Sequence, residues 1–371
     1  MKPKVLFIFR TGGYGTETAM LEGVLALPRR PFEASVCLLE PGPVEARWRE
    51  RGVPVEVLPS RSRRAVPGRA SVAQLSDYIS ASGAAIVHAV GAAAHAGSGP
   101  AARRAGARAV WTQSRRASWS SLVHLRATMA RADLIFAPTE RLRAAQARLS
   151  KKRTRVELLP PGVLLPSGLP MERWATQRSR LGVHSGVFLA GSIGPFMPDD
   201  GHESFLRAAA SLCRARASAQ LLLLATNEGS MAQERASKLL ALAADLGIGG
   251  RVRLLWPHDE PADALGGCDV AVFSGTARDE IAMPVIQAMA AGVALVVPES
   301  GAAADLVQHG VTALVADTRD PEALAVVLLM LADDGARRHQ LASAAEARAK
   351  LHYDAASTAR ILAERYRELM E

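Results

Sequence analysis

The residues best equipped for chemistry fall in a few short stretches. In DEIAMPVIQAMAAG, from Asp279 to Gly292, an acid precedes a loop, Pro284 opens a helix and Gln287 follows one turn later. Proline suits a first helical turn, where its missing N–H would have had no partner. The Gln287 amide offers one acceptor oxygen and an NH2 donor, so it can hold one hydroxyl and donate to another. Asp279 keeps a negative charge, and Glu280 stands beside it. In TGGYGTE, Gly12, Gly13 and Gly15 let backbone approach a ligand closely. Their spacing is not G-x-G-x-x-G, which argues against a nicotinamide dinucleotide; a tight turn without a ligand is the plain alternative. GSIGPFMPDDGHE brings Ser192, Asp200, Gly201 and His202 together. Backbone N–H groups at a helix N-terminus favour phosphate, and Gly201 or Gly12–Gly13 are placed to supply them. Arg10, Arg115 and Arg278 are cations within reach along the chain. His88 closes a strand before AVGAAAHAG and is either a cleft residue or a hydrogen-bonded core histidine, while His95 falls in the following helix. Trp256 follows a strand and suits either stacking on a flat ring or ordinary packing.

These side chains need a scaffold of alternating strands and helices. Strand patterns recur at residues 4–9, 32–39, 53–59, 84–90, 107–113, 134–139 and 156–162, with helical stretches between most of them. The proline-rich LLPPGVLLPSGLP, residues 158–170, marks a boundary, and the alternation restarts at 186–194, 220–226, 251–257, 269–275, 293–300 and 313–318. Strands alternating with helices predict an α/β architecture with mostly parallel sheets. The expected domains are residues 1–165 and 166–345; the tail from about Asp333 is helical and charged, and its last helix, 346–371, is expected to return to the first domain.

The 371 residues, 49% hydrophobic and 22% charged, suffice for two cores. No apolar run reaches the roughly eighteen residues of a membrane span, and the start lacks a secretory pattern, so a cytoplasmic location is expected. Cys37, Cys213 and Cys268 are widely spaced and odd in number, which predicts buried thiols and no disulfide framework. The net charge of +9 is uneven: residues 1–165 carry 26 Lys+Arg against 11 Asp+Glu, and the remainder is net negative. Such a field attracts an anionic substrate or membrane surface. Nucleic acid is disfavoured, because stacking aromatics do not interleave with the basic residues.

Taken in order, the segments resemble the GT-B glycosyltransferases, specifically the retaining glycosyltransferase family four (glycosyl transferases group 1). TGGYGTE resembles the glycine-rich first loop, IVHAVGAAAHAG the histidine-bearing segment, ADLIFAPTE a strand ending in a Thr-Glu pair, and LLPPGV the interdomain motif. DEIAMPVIQAMAAGVALVVPESG resembles the donor-site signature of two glutamates flanking the proline. The resemblance implies two Rossmann-like domains with parallel sheets facing across a cleft. It implies a nucleotide-diphosphate sugar as co-substrate, no metal or other cofactor, and a diphosphate neutralised by an Arg and a Lys. Asp279 and Gln287 fall on the two glutamates, and Ser192 and Asp200 fall on the Arg and the Lys. The implied donor site is Gly12, Gly13, Ser192, Gly201, His202, Trp256, Asp279, Glu280, Met283, Pro284 and Gln287. The implied acceptor site is Tyr14, Gly15, His88 and Arg115, with His88 and Asp279 as catalytic residues.

The expected function is therefore retaining transfer of a sugar to a glycan, lipid-linked or other anionic acceptor, such as a polysaccharide precursor at the inner face of the cell membrane. The softened contacts at Ser192, Asp200 and Gln287 suggest the alternative: a catalytically degenerate GT-B protein acting as a binding or assembly partner.

Overall fold

A computed structural model describes residues 2–13, 16–58, 69–114, 127, 130, 132–150, 154–166, 170–257, 261–273 and 281–371. Contacts divide the chain into unit 1, Met1–Leu164 with Tyr353–Glu371, and unit 2, Leu165–His352.

Unit 1 begins β1 (Lys4–Phe9), α1 (Thr16–Leu25), β2 (Glu33–Leu38), α2 (Val44–Glu50), β3 (Val55–Val57) and α3 (Arg69–Ser82). It continues β4 (Ile86–Val90), α4 (Ala92–Arg104), β5 (Arg108–Thr112), β6 (Leu134–Ala137), α5 (Glu140–Leu149) and β7 (Arg155–Leu158). Unit 2 runs α6 (Pro170–Arg180), β8 (Leu189–Gly194), α7 (His202–Ala215), β9 (Gln220–Ala225), α8 (Ser230–Asp245) and β10 (Val252–Leu255). After α9 (Pro261–Leu265) come β11 (Val270–Phe273), α10 (Met283–Ala291), β12 (Ala294–Pro298), α11 (Ala302–Leu306) and β13 (Leu314–Ala316). Then α12 (Pro321–Asp333) and α13 (Gly335–His352) complete unit 2, and α14 (Ala355–Met370) returns to unit 1.

The strands fall where the periodicity predicts, with shorter ends. β7 stops at Leu158, ahead of Pro160 and Pro161, which cannot donate to a ladder. The helical tail is two helices rather than one. Asp354 interrupts it by accepting from the Ala356 and Ser357 N–H groups as the N-cap of α14. The C-terminal segment consequently rejoins unit 1 at Tyr353, not at 346.

Both sheets are parallel. The unit 1 order is β3-β2-β1-β4-β5-β6-β7 and the unit 2 order is β10-β9-β8-β11-β12-β13. Each sheet changes direction of growth once, between β1 and β4 and between β8 and β11. In such sheets the crevice for ligands lies at the carboxyl ends of those two strands. Helices cover both faces, so whole strands are buried: in β1 Val5, Phe7 and Phe9 face one core with Trp48 and Tyr366, while Leu6 and Ile8 face another with Leu75 and Ala101. Leu221–Leu224 of β9 are likewise fully buried in unit 2. All three cysteines are free and buried.

α14 docks by inserting Tyr366 into the unit 1 core, edge-on to Phe32 at 5.4 Å between ring centroids. Its hydroxyl meets His88 Nδ1 at 2.5 Å. Replacing Tyr366 by Phe keeps the ring and leaves a buried imidazole nitrogen without its partner. A loss of about 1–3 kcal/mol is expected, measurable by denaturant unfolding.

Candidate functional site

In unit 1 the site is built around the glycine loop after β1. Gly12 N–H donates to the Glu40 carbonyl and the Gly12 carbonyl accepts from Val44 N–H, both at 3.0 Å. A methyl group on Gly42 would overlap the Gly12 carbonyl, so two backbones cross where only glycines fit. Gly13 is fixed by the Thr11 hydroxyl, which accepts its N–H at 3.0 Å, and by the Thr18 hydroxyl, which donates to its carbonyl at 3.1 Å. Arg10 extends to Glu40, 3.3 Å away. Tyr14, Gly15 and Arg115 lie outside the described residues.

His88 requires a correction. It sits within β4, fully buried, between Phe7 and Phe136. Its Nε2 lies 2.6 Å from the Thr112 hydroxyl, and with Tyr366 on Nδ1 both ring nitrogens are engaged. Burial, with a smaller push from His95, lowers its pKa from 6.5 to about 3, so the ring is neutral. A neutral, saturated core histidine neither touches an acceptor nor carries protons to one. His95 lies in α4 and stacks on Trp111 at 5.2 Å.

In unit 2 the loop after β8 forms a closed hydrogen-bonded turn. Ser192 is fully buried in β8 and its hydroxyl lies 2.8 Å from His202 Nδ1. His202, the first residue of α7, is buried against Phe196. Burial outweighs the neighbouring Asp200 charge and takes its pKa down to about 4. The Asp200 carboxylate is 0% exposed and accepts from Met197 N–H at 3.1 Å and His202 N–H at 3.0 Å. Arg235 of α8 closes on it with two further bonds, at 3.1 and 2.9 Å, and also reaches Glu203. Asn227 fixes the same loop by accepting from Phe196 N–H at 2.7 Å. Gly201 adopts φ 77° as the α7 N-cap, a conformation natural to glycine.

The donor set expected on this loop is therefore corrected. Ser192 and His202 are interior, and His202 brings no positive charge at neutral pH. Asp200 is no bare anion opposing a phosphate: Arg235 neutralises it, and it already accepts the N–H of His202, the first residue of α7. Met283 is buried as well, at 3% exposure, and packs rather than binds. Trp256 is half-buried, with its ring 5.8 Å from Phe196.

On α10 a single stripe reaches solvent. Ala282 caps it and Gly292 ends it in the left-handed region. Met283, Val285, Ile286, Ala288, Met289 and Ala290 are buried, whereas Pro284, Gln287 and Ala291 are half-buried. Their spacing of three and four puts them on one face. Among the described residues no hydrogen bond engages the Gln287 amide. Asp279 and Glu280, like Arg278 and His258, lie outside the described residues. Reasoning from sequence missed Arg235, since its partner is 35 positions away.

Residues 14–165 match the model of glycosyltransferase family 4, and residues 175–348 match that of the glycosyl transferases group 1. The chain belongs to the group 1 glycosyltransferases. Its curated relatives include the D-inositol 3-phosphate glycosyltransferases of Thermobispora bispora and Catenulispora acidiphila. The first is 31% identical over 222 residues, 58% of this chain and 51% of that protein. The second is 32% identical over 188 residues, 49% of this chain and 44% of that protein. The chain thus spans about half the length of the curated relatives it matches. Among solved structures, Anabaena HepE in complex with UDP and glucose is 22% identical, with TM-score 0.79 and 98% of both chains covered. Sucrose-phosphate synthase from Thermosynechococcus elongatus is 17% identical, with TM-score 0.74 and 99% of both covered. These likenesses establish the GT-B fold of this group 1 chain. No helix among the described residues is long and apolar enough to cross a membrane.

Proposed function

We propose that this group 1 chain is a retaining, metal-independent glycosyltransferase that takes a sugar from a uridine diphosphate sugar. The half-buried Gln287 amide carries the reading. It stands on the single solvent-reaching stripe of α10, beside the switch point of the unit 2 sheet, where an NH2 and a carbonyl oxygen suit a ribose diol. Asn227, Asp200 and Arg235 hold the neighbouring loop rigid, which suits a donor site. HepE was solved with UDP and with UDP-glucose, and that supports uracil as the base. Unit 1 would hold the acceptor, a glycan or lipid-linked precursor. Its excess positive charge favours an anionic acceptor and contact with an anionic membrane surface. The protein would position the acceptor hydroxyl on the face from which the diphosphate leaves.

A second reading, a catalytically degenerate assembly partner, rests on one observation. Among the described residues the loop 192–202 offers no cation to a diphosphate, because its histidine is neutral and Arg235 is committed to Asp200. The two readings separate in an assay of UDP release from UDP-glucose, with and without EDTA, across an acceptor panel. Turnover insensitive to EDTA supports the enzyme; tight binding of UDP without turnover supports the partner. Replacing Gln287 by Glu is expected to tighten UDP binding about tenfold. A charge-assisted bond contributes about 1.5–3 kcal/mol against about 1 for a neutral one. Competition binding checks it.

A further inference from the structure

We infer that unit 1 carries a second ligand site at the amino-terminal edge of its sheet, and that this site takes a carbohydrate through two neighbouring hydroxyls of one sugar ring. The inference goes beyond sugar transfer and holds whether or not the chain turns a donor over.

β2 outruns its neighbour. β3 starts only at Val55, opposite Val36, so the first residues of β2 have no strand on that side. The ladder fixes which groups are left over. Glu33 N–H donates to the Pro3 carbonyl at 2.9 Å, on the β1 side. Val36 N–H donates to the Pro54 carbonyl and Leu58 N–H to the Leu38 carbonyl, both at 2.8 Å, on the β3 side. Alternation along the strand therefore turns the N–H and C=O of Ala34 toward the β3 side as well. The residue placed to donate to the Ala34 carbonyl is Pro54, which has no N–H. Among the described residues neither Ala34 group meets a partner, although the residue is only 9% exposed. Backbone groups this sheltered are normally paired.

An open cavity of about 420 Å³ lies at this step in the sheet, a size that fits a small ligand. Val36 and Val53 give it a buried apolar wall, and Pro54 is exposed beside them. Ser35, Arg49, Glu56 and Tyr78 bring polar groups to it. The Tyr78 hydroxyl donates to the Glu56 carboxylate; burial and that carboxylate raise its pKa, so it stays protonated. The Arg49 guanidinium pairs with Glu45 at 2.5 Å and donates to the Val55 carbonyl at 3.0 Å.

These contacts decide the class of ligand. An anion gains little, because Arg49 already pairs with Glu45 and Glu56 lines the same cavity. An added strand is blocked, because Arg49 occupies an outward carbonyl of β3 and Pro54 interrupts the edge. A sugar hydroxyl both donates and accepts. Of two on adjacent ring carbons, one donates to the Ala34 carbonyl and the other accepts from the Ala34 N–H. Further hydroxyls suit Ser35, Glu56 and Tyr78, and the C–H face of the ring suits the valines and the proline. The cavity lies at the amino ends of β2 and β3, away from the crevice at the carboxyl ends of β1 and β4. It therefore holds a glycan that is not itself reacting.

The test titrates glucose and maltose into the native chain, Glu56→Ala and Glu56→Ala/Tyr78→Phe by calorimetry, with and without UDP. The native chain is expected to bind maltose at millimolar concentration, and UDP should leave that affinity unchanged. The double variant should bind maltose about tenfold more weakly, with Glu56→Ala in between. Glu56 is exposed, so the single variant still decides the matter should the double variant fail to fold. No sugar binding by the native chain, or equal affinity in Glu56→Ala, overturns the inference. A failure to bind UDP with sugar binding intact counts against the donor reading alone.

Discussion

Replacing Arg235 by Met is expected to destabilise unit 2 by about 3–5 kcal/mol, the cost of leaving a buried ion without its partner. Asp200 is fully buried and Arg235 is 12% exposed, so water cannot take over the role of the guanidinium. Two backbone N–H groups remain on the carboxylate after the change, but they do not neutralise it. Asp200 holds Met197 and His202 together, so the whole 195–202 turn should loosen with it. The reverse change is milder: Asp200→Asn leaves Arg235 near the surface with Glu203 still at 2.5 Å. The double variant Asp200→Asn/Arg235→Met removes both charges and should be more stable than Arg235→Met by about 1–3 kcal/mol. Urea unfolding of the three variants checks this order. The same geometry predicts that Asp200→Lys, which would install the cation of the family pattern, instead buries a second positive charge against Arg235.

Stability is expected to fall steeply between pH 6.5 and pH 4 on account of three buried histidines. His88 and His95 are lowered from 6.5 to about 3, chiefly by burial, and His202 to about 4 for the same reason. The unfolded chain binds protons at these sites near its ordinary pKa, whereas the native chain does not. The stabilisation from neutral burial is present above pH 6.5 and is lost as pH falls toward the native values. At pH 5 each histidine costs about 2 kcal/mol, so unit 1 loses about 4 and unit 2 about 2. The groups facing them do not reverse the sign. His88 meets the neutral Tyr366 and Thr112 hydroxyls, His95 feels the Arg103 charge, and around His202 the Asp200 carboxylate is offset by Arg235. Thermal unfolding at pH 7, 6 and 5 should show this fall, and His95→Phe, which keeps a ring stacked on Trp111, should flatten it.

Most of the fold was legible because its signals are local. Apolar runs such as KVLFIF, QLLLLAT and VALVVPES are short, bounded by turn residues and separated by helical stretches, and parallel order follows from that alternation. The donor helix was legible for a similar reason: Pro284 at its start and Gly292 at its end fix α10 whatever surrounds it. The roles of individual polar residues were not legible, since each depends on a partner brought in by tertiary structure. Nothing local distinguishes a cleft histidine from His88, whose partners Thr112 and Tyr366 lie 24 and 278 positions away. Asp200 looked like a misplaced anion because Arg235 belongs to a different helix. Glu17 stood in plain view within TGGYGTE, yet its contacts with Gly91 and Ser114 arise only in the tertiary structure.

The most direct measurement is a thermal-unfolding titration of the native chain with UDP, with GDP and ADP as controls. A live, softened nucleotide site in unit 2 predicts a UDP-selective rise in stability, of about 2.7 kcal/mol at a hundred times the dissociation constant. An unchanged transition with all three nucleotides at millimolar concentration would contradict it and leave the chain as a GT-B scaffold whose ligand is another protein.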